Sequence, residues 1–401
     1  MANSIIMLGG RRAGKSTILA SIIDQLNEKS ASDICSFDEV MDSDVEGLYL
    51  RTRELAGIME RKRPPMSEFL VDMGANKDAQ EYKLRCSLPN AGNVIFTFYD
   101  VPGETMAPPR EAKFEGGKEN INYQALAVAH QSLKTKISES EVFVIAIDTP
   151  FLMGKSKTLN SIYNRIDEIK NLLIDNIRYN PDISLDKKLI LFCPVKCETW
   201  LHEGKIEEVN AKVRLCYKAL IDKCVNNPAI EMYLLPIETA GNLEHTALRD
   251  AMYLLRNEKE NERPEKCSYD EETQQIFLSD GKRLRYKDSY TLEIDNSGFH
   301  HIDGNHIPYA WYKTINDATF APHNCEQIAY YLLRFLVKKE IDIRTEKHKA
   351  SSGWTRFWQR CAFWKPSFEE KLYDFEQMIK KLEDRKMIKE EVEGICKIKQ
   401  S

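Results

Sequence analysis

The chain has 401 residues, a formal net charge of -5 at pH 7 and a pI near 6.0. That length suits one enlarged domain or two or three smaller ones, and the charge excludes a general nucleic-acid binder, which needs clustered positive charge. The ten cysteines form no C-x-x-C pair and read as reduced thiols; no apolar run reaches the roughly 18 residues of a membrane span, and Ile5 to Leu8 is too short for a signal-peptide core, so the expected location is cytoplasmic.

The first predicted element is a short apolar strand, SIIMLGG (Ser4 to Gly10), which breaks into GGRRAGKS and continues as the helix-competent run STILASIIDQLNE. Gly9 to Ser16 fit G-x-x-x-x-G-K-S, with the strand before and the helix after that a phosphate loop requires. Gly9 and Gly14 permit backbone angles that let successive N–H groups converge on phosphate oxygens. The helix beginning near Lys15 turns its positive end to the same anion. Lys15 is expected to reach the terminal phosphates and Ser16 to offer its hydroxyl to Mg2+, with Arg11, Arg12, Ala13 and Thr17 completing the nucleotide-contacting stretch. Ile18, Leu19, Ile22, Ile23 and Leu26 then form an apolar stripe at helical spacing.

Residues 30–65 are polar, contain a predicted helix near Gly47 to Arg61, and end in RKRPP. This segment is either a surface excursion or a mobile loop over the nucleotide; in the second reading Ser67 is a further hydroxyl ligand for Mg2+. EYKLRCSL (Glu81 to Leu88) and NVIFTFYD (Asn93 to Asp100) predict an antiparallel hairpin. Asp100, at the end of a buried strand and three residues before Gly103, is the expected partner of a phosphate loop, holding Mg2+ through water while the Gly103 N–H meets the gamma-phosphate. Glu104 either orients the attacking water or is a helix-start acid. The triphosphate field repels its carboxylate and also makes it a stronger base. MAPPREAKFEGGKEN is expected as a second mobile loop.

A helix from Ile121 to Lys134 and a strand from Val142 to Ile147 follow, with Asp148 read as a strand-end cap. A helix from Thr158 to Arg178 leads to KKLILFCPVKCETW. Lys196 and Glu198 sit at the mouth of that strand, where a lysine stem can lie along a purine ring and a carboxylate can accept the two N–H groups of a guanine edge, a pair adenine lacks. The plain alternative is a charged loop. A helix from Ile206 to Cys224 precedes a strand from Met232 to Ile237, and Thr239-Ala240-Gly241 would set a small, backbone-rich loop against the base. Strands and helices thus alternate, with candidate ligands gathered at strand ends, the crevice where open parallel sheets bind ligands.

Taken in order, Gly9 to Ser16, Asp100-Val-Pro-Gly103, Val195-Lys-Cys-Glu198 and Thr239-Ala-Gly241 resemble the phosphate, metal, base and base-backing motifs of P-loop GTPases of the Ras-like, translation-factor-related class. The resemblance covers residues 1 to about 245. It implies a P-loop α/β fold with a mostly parallel six-stranded sheet and helices on both faces, GTP or GDP as ligand, and Mg2+ as cofactor. It assigns catalytic roles to Lys15, Gly103 and Glu104, Mg2+ to Ser16 and Asp100, and the base to Lys196, Glu198, Thr239 and Ala240. The chain departs from the pattern at Val195, where the family has Asn or Thr, at Glu198, where it has Asp, and at Glu104, where it has Gln; the first two bear on guanine selectivity and the third on hydrolysis. Arg11 or Arg12 either supplies the positive charge that other GTPases borrow from a partner or faces solvent. The large insertions resemble those of bacterial GTPases of conflict or signalling systems.

Residues 245–257 are expected to be helical. QQIFLSDGKRLRY and YTLEID then read as strands, with Asp280-Gly281 as a turn signal. His300, His301, His306 and Asp303 lie together, but without a preceding helix or regularly spaced cysteines they favour a polar loop over a metal site. CEQIAYYLLRFLV is expected to be the closing helix. This divides the chain into a GTPase core (1–257), a β-rich insertion (258–320), the closing helix (321–340) and an aromatic-basic segment with a C-terminal helix from Ser367 to about Glu393 (341–401). The five aromatic rings of 354–364 dock on the core, bind a partner protein, or rest in a membrane interface. The expected function is a guanine-nucleotide switch that hydrolyses GTP slowly and signals to a protein partner or through self-association, with no nucleic acid involved. The alternative is a nucleotide-bound scaffold without significant turnover.

Overall fold

The computed structural model describes residues 2–10, 12–28, 36–39, 46–61, 69–70, 79–88, 92–106, 121–177, 186–250, 252–257, 265–270, 275–278, 283–285, 290–295, 308–350, 368–385 and 387–399. Arg11, Ser67, the histidines at 300, 301 and 306, and the aromatic segment 354–364 lie outside them. The chain divides into two compact units, one comprising Met1–Glu54, Gly74–Gly241 and Ala321–Ser401, the other Leu55–Met73 and Asn242–Phe320.

The first unit is built on β1 (Ala2–Leu8), β2 (Ser36–Glu39), β4 (Gln80–Leu88), β5 (Gly92–Asp100), β6 (Val142–Asp148), β7 (Lys188–Val195), β8 (Ile230–Leu234) and β16 (Cys396–Lys397). They form an eight-stranded sheet in the order β16-β8-β7-β6-β1-β5-β4-β2. The strands from β5 through β1, β6 and β7 to β8 run parallel, while β4, β2 and β16 add antiparallel edges. Every residue of β6 and β7 is buried, as expected of parallel strands covered on both faces. The sheet has eight strands where six were expected. SFDE and CK carry no strand periodicity of their own; they pair because an existing edge offers unpaired N–H and C=O groups.

Alternation along β1 sends its side chains into two separate cores. Ile5 and Met7 join a cluster with Ile18 and Ile22 of α1 (Lys15–Glu28), Leu48 of α2 (Glu46–Arg61), Ile328 and Leu332 of α10 (Cys325–Ala350), and Ile379 and Leu382 of α11 (Phe368–Asp384). Ile6 and Leu8 join the other, with Leu133 of α3 (Ile121–Glu139), Leu173 of α6 (Ile166–Asn176), Val209 of α8 (Ile206–Cys216) and Leu220 of α9 (Lys218–Cys224). Asn324 through Val337 are all buried, so the start of α10 is a core helix covered all round rather than a surface amphipath.

Two expected helices are each broken in two. The run expected from Thr158 to Arg178 is α5 (Lys157–Asn164) and α6, separated by Arg165 at φ 49. The run from Ile206 to Cys224 bends at Tyr217, whose fully buried ring packs edge-on to Phe192 at 5.2 Å. The C-terminal helix stops at Asp384 rather than near Glu393.

In the second unit, β9 (Leu243–Asp250), β15 (Pro308–Thr314) and β3 (Phe69–Leu70) form an antiparallel sheet in the order β3-β15-β9. The segment β10 (Met252–Asn257) lies between β11 (Glu265–Asp270) and β14 (Tyr290–Asp295), and β12 (Gln275–Leu278) and β13 (Arg283–Arg285) complete a five-stranded antiparallel sheet. Residues 245–250 and 252–257 are therefore strands, not the expected helix. Their short apolar runs fit either period, and pairing decides the outcome, of β9 with β15, whose Trp311 is fully buried, and of β10 with β11 and β14. Among the described residues no helix is long and apolar enough to cross a membrane.

Candidate functional site

The site lies at the carboxyl ends of the parallel strands. β1 runs out at Gly9 and Gly10, and the loop returns through Arg12 at φ 60 and Gly14 at φ 90 before α1 opens at Lys15. Gly14 holds a left-handed angle that disfavours a side chain. Gly10 is required for a different reason: a β-carbon there would stand 1.6 Å from the Tyr163 carbonyl oxygen. Ala13 N donates to Gly10 O at 3.3 Å and Ile18 N to Gly14 O at 2.8 Å, closing the turn into the helix. Ala13 is buried, and Thr17 is half-buried in the first turn of α1.

Lys15 is buried and folds back over the loop, donating from Nζ to the carbonyls of Gly9 and Gly10, each at 3.1 Å. Ser16 Oγ donates to Asp100 Oδ2 at 2.5 Å, across the gap between the start of α1 and the end of β5. A hydroxyl and a carboxylate are the hard oxygen donors Mg2+ prefers. Two protein groups also suit an ion that keeps waters and takes phosphate oxygens. Among the described residues no group of three or more His, Cys, Asp or Glu forms a self-contained metal cage.

Beyond Asp100 the chain turns through Val101 and Pro102 into a 3-10 turn, Gly103–Met106, with Gly103 buried. Glu104 lies in this turn, and its carboxylate is outside the described side chains. Thr105 fastens the turn: its Oγ1 donates to Pro102 O at 2.7 Å, and its carbonyl meets Nδ1 of buried His130 on α3 at 2.7 Å. His130 was not singled out in the sequence, since nothing local to AVAHQSL marks it as the partner of a loop 25 residues away.

The other side of the site is built from β6, β7 and the loop after β8. Lys196 sits at φ 58 immediately after β7. Its Nζ donates to the carbonyl of Arg12 at 3.1 Å and pairs with Asp148, so one ammonium joins the loop after β7 to the loop after β1. Asp148 does more than cap: Oδ1 accepts from Phe151 N at 3.3 Å at the start of α4 (Thr149–Met153), while Oδ2 meets Lys196. Asn164 clamps the same residue, accepting from Asp148 N at 2.6 Å and donating to Asp148 O at 3.1 Å.

Glu198 opens α7 (Glu198–His202) and is 2% exposed. Its Oε1 accepts from Ala240 N at 2.9 Å and Thr239 Oγ1 at 3.3 Å, and the Thr239 carbonyl takes a 3.2 Å bond from Ser21 of α1. Glu198 Oε2 is buried and has no hydrogen-bond partner among the described residues. Burial raises the Glu198 carboxyl above its ordinary value, against the pull of the surrounding backbone N–H groups. Burial likewise pushes the neighbouring thiols of Cys193 and Cys197 well up.

The described candidates thus gather at the ends of these strands: Gly9, Arg12, Ala13, Gly14, Lys15, Ser16 and Asp100 around the loop between β1 and α1, and Lys196, Glu198, Thr239 and Ala240 around the loops after β7 and β8. No family model matches the chain, and no curated protein matches it. Among solved structures the chain is similar to the S. cerevisiae Ski7 GTPase-like domain bound to GDP and inorganic phosphate, at 12% identity and a TM-score of 0.30, covering 79% of this chain and 71% of that one. It is similar also to that domain bound to GTP, at 13% identity and a TM-score of 0.29, with the same coverage.

Proposed function

We propose that the chain is a guanine-nucleotide-binding switch that hydrolyses GTP slowly to GDP and phosphate and acts on a protein partner or a second copy of itself. The observation that carries this reading is the buried, unpartnered Glu198 Oε2 beside the Thr239-Ala240 loop. An unmet acceptor of that kind costs about 1–3 kcal/mol, and the N–H pair of a guanine edge would meet it. Those donors also favour the ionised carboxylate, offsetting the burial that raises its pKa.

In this reading the loop from Gly9 through Thr17 surrounds the phosphates, with Lys15 turning from its two carbonyls to the terminal phosphates. Ser16 and Asp100 hold Mg2+, which when bound neutralises charge on the phosphate oxygens. Ser67 is the proposed further ligand. The Gly103 N–H receives a gamma-phosphate oxygen, and Glu104 orients the water whose oxygen attacks phosphorus as the bond to the GDP oxygen breaks. Arg12 or Arg11 supplies compensating positive charge. A carboxylate next to the triphosphate is a poor neutral water holder, so turnover without a partner is expected below the usual enzymatic range of roughly 1 to 1000 per second. A cytoplasmic setting and a conflict or signalling role of the bacterial kind belong to the same proposal.

The test is turnover of GTP and ATP side by side in wild type and Glu104→Gln. Slow, GTP-selective release of phosphate is expected. A fall of about 10^2-fold in the variant marks Glu104 as a general base, and unchanged or faster turnover marks it as merely repulsive. Equal use of ATP defeats the guanine assignment, and cleavage at tens per second by the isolated monomer defeats the slow-switch reading.

A further inference from the structure

The last described stretch, 387–399, is fastened along the first unit at several points. Gln327 of α10 clamps both sides of Ile388, donating to Met387 O at 2.9 Å and accepting from Lys389 N at 2.9 Å. Tyr331 OH donates to Lys389 O at 2.7 Å, and Arg334 pairs with Glu390 at 2.5 Å. Farther on, Asn210 donates to Gly394 O at 2.8 Å, β16 adds to β8, and Ile398 N donates to Met232 O at 2.9 Å.

Two side chains of this strap turn the other way. Glu393 Oε2 meets His323 Nε2 at 2.8 Å, and Lys389 Nζ reaches Asn324 Oδ1 at 2.8 Å and Glu393 Oε2 at 2.9 Å. His323 is paired through its backbone with Glu238 in both directions, at 3.1 and 2.9 Å, and Asn324 donates to Pro236 O at 3.4 Å. Ala321 N donates to Ala240 O at 2.9 Å. The strap therefore holds 321–324, that segment holds 236–240, and Thr239 and Ala240 hold Glu198.

We infer that Lys389 and Glu393 are positioning residues for the base pocket, so that the C-terminal strap sets how long a bound guanine nucleotide stays. The inference rests on the proposed reading of Glu198 as the base acceptor. An isolated ion pair this exposed is worth little. Here the ammonium and carboxylate sit on backbone already fixed by Gln327 and Tyr331, and they act together on one segment, the condition under which a network exceeds its separate pairs. If the strap were only a cover for the sheet edge, its point substitutions would shift stability without reaching the pocket.

Lys389→Ala and Glu393→Ala are the test, since removing the whole strap risks unfolding. In nucleotide-free protein, hydrogen exchange at the amides of Glu238, Ala240 and His323 is expected to quicken about tenfold, equivalent to about 1.4 kcal/mol, while the β6 amides stay as slow as in wild type. Release of a fluorescent GDP analogue is expected to quicken by a similar factor with association unchanged. Wild-type exchange at those amides in both variants overturns the inference, as does faster exchange with unaltered release. If the wild type takes up no guanine nucleotide, the base reading fails by itself, and the exchange measurement still decides whether the strap sets the loop.

Discussion

The two ends of the site are finished differently. In the loop between β1 and α1, Lys15 is answered by the Gly9 and Gly10 carbonyls and Ser16 by Asp100. At the loops after β7 and β8, Glu198 places one oxygen on Ala240 and Thr239 and keeps the other buried, with no hydrogen-bond partner among the described residues. A self-answered end can exchange its internal bonds for phosphate and metal at small net cost. An end left incomplete discriminates, because a ligand lacking the matching donors leaves the acceptor unpaired. In the proposed reading, affinity is thus expected to come mostly from the loop between β1 and α1 and selectivity from Glu198.

The largest effect expected is that of Lys15→Ala, which removes the one ammonium in the loop and should weaken GTP and ATP alike by about 10^3-fold, on the scale of a charge-assisted contact pair. Titration of both nucleotides checks it, and unaltered triphosphate affinity would sink the phosphate-loop assignment. Glu198→Ala should cost GTP about 10^2-fold and leave any ATP binding nearly as before; equal losses for the two would reduce Glu198 to a structural loop acid and erase the contrast between the ends.

Asp148→Asn sharpens the comparison where the ends join. Asparagine keeps the helix cap but leaves Lys196 without its counter-charge, so GDP affinity should fall about tenfold with the melting temperature little changed. A large drop in melting temperature with normal affinity would show the pair to be structural.

The smallest effect concerns pH. Burial, with the negative charge of Glu198 next, lifts Glu238 from 4.5 to about 8. The folded state then binds more protons than the unfolded between about pH 4.5 and 8, so stability falls as pH rises through that window. Glu393 has the opposite sign: burial works against it, but the bonds from Lys389 and His323 outweigh that and hold it at about 2, so its contribution is lost as pH falls from 4.5 toward 2. Denaturant melts of Glu238→Gln between pH 5 and 8 should show a flatter profile than wild type; the same slope in both would place the titration elsewhere.

The elements that frame the site were legible where the signal is local. The apolar run of β1, the glycine-lysine-serine turn, and an acid ending β5 each announce themselves within ten residues or so, because strand period and turn chemistry are short-range properties. What escaped is long-range. Asn164 meets Asp148 across 16 residues, and Gln327 meets Lys389 across 62, with nothing in either neighbourhood to mark the partner. Asp148 was read as a cap because capping is local; its ion pair with Lys196 depends on β6 and β7 lying side by side. The error at 245–257 has the same root, since only the neighbouring strands distinguish the two periods there.

The ends of the eight-stranded sheet carry one more consequence. An open edge is a template for another chain's strand, and the usual safeguards are brevity and charge. β2 is four residues long and carries Asp38 and Glu39; β16 is two residues long and carries Lys397. Without β16 and the residue after it, the β8 edge from Met232 to Leu234, which is buried, would stand open beside the core. A two-residue strand adds little to folding energy by itself. Its value is colloidal: it is a stopper that keeps the apolar edge at β8 from growing onto a neighbour.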